Sequence, residues 1–343
     1  MYRYSIPTCY FPSTVVFVDD SREFLMNFTL QLDDDLAYRI FDSPYEALDA
    51  IYTQKKQSEH FSQRCMTEYL DSNNWPMTNQ TVNVDLAAIH YEVYNPQRFG
   101  EISVVVVDYA MPGMNGLEFC RRIENDSIKK ILLTGQADEK TAIEAFNAGI
   151  IHRFIQKGDP NVTQNIMTSI HQLQRHYFQN MSDMVVRMLS VNSPNCLQDE
   201  KFAEFFRQLR ADNNIVEFYL TENSGSFLML DADGNLSYLI MKHQNDLKLH
   251  YDLALDNKAP QEVLDVLKTG AKIPCFWQSE GYHSEWTDWS TCLVPAHKLV
   301  CEDTYYYAYL KSAIPFEVRR DKISSYNEFL KRTDLGISAT TKG

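Results

Sequence analysis

The chain has 343 residues, a length that suits two domains of ordinary size. Its hydrophobic fraction of 44% and charged fraction of 23% are those of a globular protein, and its net charge of −14 argues against broad attachment to nucleic acid or anionic membranes. It has no apolar leader, no stretch long enough to span a bilayer, and seven cysteines without a regular spacing. These features predict a cytoplasmic protein with reduced thiols and no membrane partner.

The first half of the chain alternates between strand and helix patterns. Five predicted strands cover 14–19, 36–41, the run of valines that ends at Asp108, the run that ends at Thr134, and 153–156. Each is followed by apolar residues at helical spacing, and the last of these helices is long, from about 160 to 190. Strand–helix alternation repeated five times predicts an α/β fold with a doubly wound, five-stranded parallel sheet.

Polar residues stand where four of these predicted strands end. Asp19 and Asp20 close the first strand, Asp108 the third and Thr134 the fourth, while Lys157 follows the fifth. Because ligands and chemistry in open α/β sheets lie at the carboxyl ends of the strands, we expect these side chains to meet. Carboxylates for Mg²⁺, a carboxylate nucleophile, a hydroxyl and a lysine are the groups that phosphoryl transfer to an aspartate requires. The alternative is a set of separate, solvated residues, and for Lys157 alone it is stronger because exposed lysines are common.

The order of these motifs resembles that of the receiver domain of two-component response regulators, which implies a flavodoxin-like strand order. The resemblance covers roughly half of the chain. It implies a protein that accepts a phosphoryl group from a sensor histidine kinase or phosphotransfer protein and is not otherwise an enzyme. The roles implied are Asp108 as phospho-acceptor, Asp20 and the carbonyl of Ala110 as Mg²⁺ ligands, Asp19 as holder of a metal-bound water, Thr134 and Lys157 as phosphoryl contacts, and Thr134 with Phe154 as the switch pair.

The sequence departs from the receiver pattern in three places. An insertion of about residues 53–98 separates the second helix from the third strand, with a predicted helix from Val84 to Val93. It is either a surface excursion without a role or a contact site for a partner or the second domain. Gly158 follows the lysine where receivers usually have proline, which puts the usual cis peptide bond in doubt. Phe154 lacks the hydroxyl of the more common tyrosine.

The second half of the chain has a different pattern, and we predict domains at 1–190 (the receiver, with its insertion and extended last helix) and 191–343. Its predicted elements are a helix with Phe202, Phe205, Phe206 and Leu209 as its apolar stripe, strands at 216–220, 226–231, 236–241, 273–277 and 305–310, and helices at 245–255, 260–267 and 316–332. This order predicts an α+β output domain. Asp233-Gly234 predicts a tight hairpin turn rather than a calcium loop. Cys275, His283, Cys292, His297 and Cys301 do not have the spacing of a zinc ribbon, and buried thiols are the favoured alternative.

Three hypotheses remain open for the output. The first is dimerisation or protein contact switched by phosphorylation, the second is DNA binding by an unfamiliar fold, and the third is binding of a nucleotide or other small anion. No helix-turn-helix pattern supports the second, and no phosphate loop or nucleophile elbow supports a catalytic output. The segment GSFLMLDADGNLSYLIMKHQNDL and the insertion together make the chain similar to quorum-sensing response regulators of Legionella. That resemblance implies a signalling relay without specifying its output.

For the first hypothesis, we predict homodimerisation through the face formed by the fourth helix, the fifth strand and the long fifth helix. Ile166, Ile170, Leu173 and Tyr177 continue an apolar stripe along the long helix, further than a receiver needs. The alternative is that this stripe packs against the second domain.

Overall fold

The computed structural model describes residues 6–57, 66–69, 81–84, 86–135, 138–188, 195–276, 289–311 and 318–340. The strands are β1 Cys9–Tyr10, β2 Thr14–Val18, β3 Tyr38–Phe41, β4 Met66–Tyr69, β5 Thr81–Val84, β6 Ile102–Asp108, β7 Lys129–Thr134, β8 Arg153–Gln156, β9 Ile215–Leu220, β10 Phe227–Asp231, β11 Leu236–His243, β12 Lys272–Pro274, β13 Leu293–Pro295, β14 His297–Val300 and β15 Thr304–Leu310. The helices are α1 Arg22–Thr29, α2 Pro44–Gln57, α3 Leu86–Tyr91, α4 Gly116–Arg122, α5 Glu139–Asn147, α6 Val162–Met188, α7 Glu200–Asp212, α8 Gln244–Asp256, α9 Gln261–Thr269 and α10 Tyr326–Thr340. Within these residues, no helix is both long enough and apolar enough to cross a bilayer.

Contacts between residues divide the chain into two compact units, and each is built from three separate segments. The parallel unit comprises Phe11–Thr67, Pro96–Met184 and Glu328–Gly343. The antiparallel unit comprises Met1–Tyr10, Glu68–Asn95 and Val185–Asn327. The domains predicted from the sequence are continuous stretches. In the structure the first ten residues belong to the antiparallel unit, the residues from 328 onward belong to the parallel unit, and the insertion is divided between the two units.

The parallel unit contains the predicted sheet, in the order β3-β2-β6-β7-β8 with every pair parallel. A hydrophobic cluster covers each face: helices α1 and α6 supply one, and α2, α4 and α5 supply the other. The valine run of β6 divides between them, since Val104 and Val106 belong to the first cluster and Val105 and Val107 to the second. All four are at most 1% exposed, which confirms a strand buried on both faces.

Two side-chain caps fix where the helices beside the sheet's carboxyl edge begin. The hydroxyl of Ser21 accepts a hydrogen bond from the N–H of Phe24, and Asn115 Oδ1 accepts one from the N–H of Glu118 at 2.8 Å. Each side chain replaces a partner that the first turn of a helix lacks. The chain therefore turns into a helix soon after β2 and soon after β6, the two strands that carry the predicted acids.

The long helix α6 uses its apolar stripe differently from either prediction. Ile166, Ile170 and Leu173 are at most 3% exposed and belong to the core cluster of the parallel unit itself. Tyr177 is buried as well, and its hydroxyl donates to Glu101 in the same unit. The parallel unit itself therefore buries this long apolar stripe. The stripe supports neither a dimer interface nor packing against the second domain.

The antiparallel unit contains a six-stranded sheet in the order β1-β9-β10-β11-β15-β14. Phe202 and Phe206 of α7 pack on one face with residues of β9 and β10, as the aromatic stripe predicted. Gly234 has a φ of +81°, and Asp231 Oδ1 accepts the N–H groups of Asp233 and Asn235. These bonds close a tight turn, which agrees with the hairpin prediction. The N-terminal strand β1 and the edge strand β14 were not predicted.

Three predicted elements need correction. The last helix begins at Tyr326, not near 316, because residues 320–322 form a separate turn of 3₁₀ helix; residue 316 lies outside the described residues. The strand predicted at 273–277 is β12, which ends at Pro274, and residue 277 also lies outside them. The helix predicted from Val84 begins at Leu86, after β5, and Leu86 packs against the core of the antiparallel unit.

Candidate functional site

The carboxyl edge of the parallel sheet brings the predicted residues together. β2 and β6 are neighbours, with Val18 paired to Val107, so the residues that follow each strand lie side by side. One carboxylate oxygen from each of Asp19, Asp20 and Asp108 lies within 4.8 Å of the others. Asp19 and Asp108 are 1% and 6% exposed, whereas Asp20 is exposed to solvent.

Lys157 joins the two buried carboxylates. Its Nζ lies 2.6 Å from Asp19 Oδ2 and 2.8 Å from Asp108 Oδ1. The N–H of Lys157 donates to the carbonyl of Thr134 at 2.9 Å, which fixes the lysine's backbone beside the end of β7. A separate, solvated lysine would make none of these contacts, so that alternative fails for Lys157.

The same contacts perturb the protonation of this pair. Burial raises the pKa of Asp19 above its usual value, although the hydrogen bond from Lys157 and the N–H of Ser21 act in the opposite direction. Burial alone would lower the pKa of Lys157, but its hydrogen bonds to Asp108 and Asp19 raise it overall. The lysine is therefore held as a cation. A further positive charge beside Asp19 would lower the pKa of that carboxyl group and favour its ionised form.

The turn after β6 holds the second oxygen of Asp108. The N–H of Ala110 donates to Asp108 Oδ2 at 3.2 Å, and the N–H of Gly116 donates to the carbonyl of Tyr109 at 3.0 Å. A Cβ on Gly116 would lie 2.3 Å from the backbone oxygen of Asp108, so any larger residue would displace this turn. The role of the Ala110 carbonyl as a metal ligand stays a prediction.

The two predicted switch residues lie beside the site. Thr134 is 0% exposed, and its hydroxyl has no hydrogen-bond partner among the described residues. An unsatisfied buried hydroxyl costs about 1–3 kcal/mol, which a new acceptor beside it would recover. Phe154 is half-buried against the core cluster that α2, α4 and α5 share. No cis peptide bond occurs in the described chain, so the bond between Lys157 and Gly158 is trans.

The acidic cluster fits a divalent cation of the magnesium type. Its donors are carboxylate oxygens, which hard cations prefer, and one of them faces solvent, where metal-bound waters can remain. Within the described part of the chain it is the one group of three acidic, histidine or cysteine side chains close enough to share an ion. The residues considered for zinc form no such group there, and His283 lies outside the described residues.

Sequence reasoning missed one residue of the site. The ring centroid of Phe24 lies 4.6 Å from Lys157 Nζ, within the range of a cation–π interaction. Phe24 has helical spacing with Leu25 and Phe28 in the apolar stripe of α1, and that pattern gives no sign of a contact with the site. Its position could have been inferred, because Phe24 lies in the first turn of α1, which begins two residues after Asp20.

Comparisons with known proteins agree with this geometry. Residues 65–170 match the model of the response regulator receiver domain. The solved structure of the response regulator LqsR from Legionella pneumophila is 60% identical, covers 96% of both chains and has a TM-score of 0.81. The chain belongs to the response regulator family. The cyclic di-GMP phosphodiesterase response regulator RpfG of Xanthomonas campestris pv. campestris (strain 8004) is 32% identical over 80 residues, which are 22% of this chain and 21% of RpfG.

The two relatives differ in how much of this response regulator they cover. LqsR matches both the parallel and the antiparallel unit, whereas the match to RpfG spans about a fifth of that protein's length. The receiver-domain match begins at residue 65 and includes Asp108, Thr134 and Lys157 but not Asp19 or Asp20. The insertion separates Asp19 and Asp20 in sequence from Asp108, Thr134 and Lys157, although all five lie at the same edge of the folded sheet.

Proposed function

We propose that Asp108 accepts a phosphoryl group in a Mg²⁺-dependent reaction. The observation that carries this proposal is the buried Asp108 carboxylate held 2.8 Å from the Lys157 ammonium, within a cluster of three acids. An oxygen of Asp108 attacks the phosphorus of the donor, the bond from phosphorus to the leaving group breaks, and an aspartyl phosphate forms. Bound Mg²⁺ would supply neutralisation of the charge on the transferring phosphoryl oxygens.

The other residues would position this reaction. Asp20 would ligate the metal directly with Asp108 and the carbonyl of Ala110, and Asp19 would hold one of its waters. Lys157 is already a cation in contact with the acceptor, so it would neutralise part of the charge that the phosphoryl group brings. The unpartnered hydroxyl of Thr134 would donate to a phosphoryl oxygen.

We propose that this last contact is the switch. Movement of the Thr134 hydroxyl towards the phosphoryl group leaves space beside Phe154, which is only half-buried and can turn further inward. Phe154 lines a groove of 580 Å³ together with Phe146 of α5, Arg153 of β8 and Thr168 of α6. Inward movement of the ring would therefore reshape the surface formed by α5, β8 and α6.

We propose that the reshaped surface forms a homodimer. Ile143 and Phe146 of α5 are 43% and 49% exposed and, three residues apart, lie next to each other on the surface of the helix. A second copy of the chain could cover them. Sedimentation with and without beryllofluoride, a mimic of the aspartyl phosphate, tests this step. A chain that stays monomeric at tens of micromolar with the mimic bound would refute dimerisation and favour a change within the single chain.

Intact-mass spectrometry after incubation with acetyl phosphate and Mg²⁺ tests the acceptor. The wild type should gain one phosphoryl group, and Asp108→Asn should gain none because an amide oxygen is not a competent nucleophile. Glu118→Gln, on α4, is a matched acidic control that should label like the wild type, because the Glu118 carboxylate is 45% exposed and pairs with Arg122 rather than with the site. An equal adduct on Asp108→Asn would refute the assignment.

For the pathway, we propose a two-component relay of the quorum-sensing type that takes its phosphoryl group from a sensor histidine kinase or phosphotransfer protein, in the cytoplasm. The support is the similarity to LqsR along the whole chain. We propose a non-catalytic output in the antiparallel unit. Incubation with cyclic di-GMP should give no product, and formation of a linear dinucleotide would contradict this. A gel-shift series across salt concentrations tests DNA binding, since phosphate contacts make affinity fall steeply with salt.

A further inference from the structure

At the amino end of β7, opposite the phosphorylation site, two consecutive lysines are buried. Lys129 and Lys130 are 3% and 7% exposed, whereas lysine is among the residues least often buried without a partner. Successive strand residues point to opposite faces, and the contacts agree with this. Lys130 Nζ lies 3.5 Å from the carbonyl of Ile123, on the side of α4. Lys129 faces α6.

Lys129 has no counter-charge among the described residues. Its one polar partner is Asn180 of α6: in the amide orientation that satisfies both groups, Asn180 Oδ1 accepts from Lys129 Nζ at 2.8 Å and Nδ2 donates to the carbonyl of His176 at 3.2 Å. An amide oxygen satisfies one of the three donors of an ammonium group. A buried ammonium that lacks an anionic partner destabilises the folded state, so the fold retains an unfavourable charge here.

Further basic groups surround Lys129. His152 Nδ1 accepts the N–H of Lys130 at 3.1 Å, which leaves Nε2 as the N–H donor of a neutral ring. Burial, acting together with the charges of Lys129 and Lys130, lowers the pKa of His152 to about 4. Burial also lowers the pKa of His176, and Lys129, Arg153 and Arg175 contribute. The charged groups that shift the pKa of these two histidines are all basic, in a chain whose net charge is −14.

We propose that Lys129, His152 and His176, beside Asn180, form a binding site for a phosphate oxyanion. An anion would neutralise the buried ammonium, and it would accept hydrogen bonds from Lys129, from Nε2–H of His152 and from the exposed ring of His176. The ligand class is inorganic phosphate or the phosphate group of a small phosphate ester.

The site is distinct from the one that accepts the phosphoryl group. Lys129 is the first residue of β7 and Thr134 the last, so about 16 Å of strand separates the two. Its side chains come from the amino ends of β7 and β8 and from α6, none of which contributes a carboxylate to the Asp108 cluster. Binding of phosphate at this site therefore does not depend on phosphorylation of Asp108.

Thermal unfolding of the full chain in sodium phosphate, at constant ionic strength with chloride and with EDTA present, tests the site. For the wild type we expect the midpoint to rise by roughly 2–4 °C when phosphate is at about five times its dissociation constant. Lys140→Gln, an exposed lysine on α5, is the matched control and should show the same rise. Lys129→Met keeps the length of the side chain but removes the charge, so the rise should disappear.

Two further measurements keep the result decisive if Lys129→Met fails to fold. His176→Gln changes an exposed side chain and should weaken phosphate binding several-fold without loss of the fold. Adenosine monophosphate in place of phosphate distinguishes the sources: a similar rise indicates free phosphate, and a larger rise at equal concentration indicates a phosphate ester. Equal rises in the wild type, Lys129→Met and His176→Gln would overturn the proposal, because phosphate would then act only as a general stabiliser.

Discussion

Substitution of Lys157 by methionine isolates the charge that holds the phosphorylation site together in the absence of metal. The thioether side chain is of similar length and remains compatible with the ring of Phe24. The ammonium that lies 2.6 Å from Asp19 and 2.8 Å from Asp108 is lost. Two buried carboxylates then face each other without a cation between them.

The magnitude follows from the distances. Two carboxylate charges no more than 4.8 Å apart repel by at least about 3.5 kcal/mol at an effective dielectric constant of about 20. Removal of one partner from a buried ion pair typically costs about 3–5 kcal/mol. Because the Lys157 side chain is 28% exposed, solvent already screens part of this interaction. We therefore expect the free energy of unfolding of the parallel unit to fall by about 2–4 kcal/mol at pH 7.

The loss should depend on pH and on metal. Burial already raises the folded-state pKa of Asp19, and removal of the lysine should raise it further. An acid whose pKa is higher in the folded state favours folding below its unfolded pKa, and this advantage disappears as pH rises through the folded pKa. The variant should thus be closest to the wild type below pH 3.8, the pKa of an unfolded aspartate, and least stable relative to it at neutral pH. Mg²⁺ should restore stability to the variant more than it stabilises the wild type.

Hydrogen exchange of the β6 amides, followed by mass spectrometry, measures this unit within the full chain. A loss of 2–4 kcal/mol corresponds to exchange about 30- to 900-fold faster. Lys140→Met, on the exposed face of α5, is the control and should exchange like the wild type. Equal protection in the Lys157 variant and the wild type at pH 7, or an equal effect of Mg²⁺ on both, would refute the reasoning.

Three further predictions concern single side chains of the same site. Phe24→Leu removes the ring beside Lys157, a contact worth about 0.5–2 kcal/mol. Phosphorylation by acetyl phosphate should therefore slow roughly two- to thirtyfold. An unchanged initial rate would exclude a role for Phe24 in positioning the lysine. Asp20→Ala should weaken Mg²⁺ binding far more than Thr134→Ala in a fluorescence titration, because only the first removes a metal ligand, and equal effects would contradict the proposed metal geometry. Gly116→Ala should lower the free energy of unfolding by about 1–3 kcal/mol or more, because the added Cβ would clash with the backbone of Asp108. Gly158→Ala is the control: the space around Gly158 is open, so thermal unfolding should show a change of less than about 1 kcal/mol.

The sequence alone was sufficient to predict the strands of the parallel sheet and the polar residues at their carboxyl ends. Four consecutive valines before Asp108 specify a strand buried on both faces, and this pattern is local. A residue directly after a parallel strand must lie at the carboxyl edge whatever the rest of the chain does. For this reason Asp19, Asp20, Thr134 and Lys157 could be assigned to one site although 138 positions separate Asp19 from Lys157.

Only the tertiary structure decided the non-local pairings. β1 pairs with β9, and α10 from Glu328 onward belongs to the parallel unit although it is the last element of the chain. Strand pairing and helix docking of this kind depend on contacts that no local period encodes. The contact between Phe24 and the lysine ammonium, and the buried charge of Lys129, likewise depend on which helix covers which strand. Side-chain period assigns a residue to a face of an element, whereas the partner on that face is set by packing.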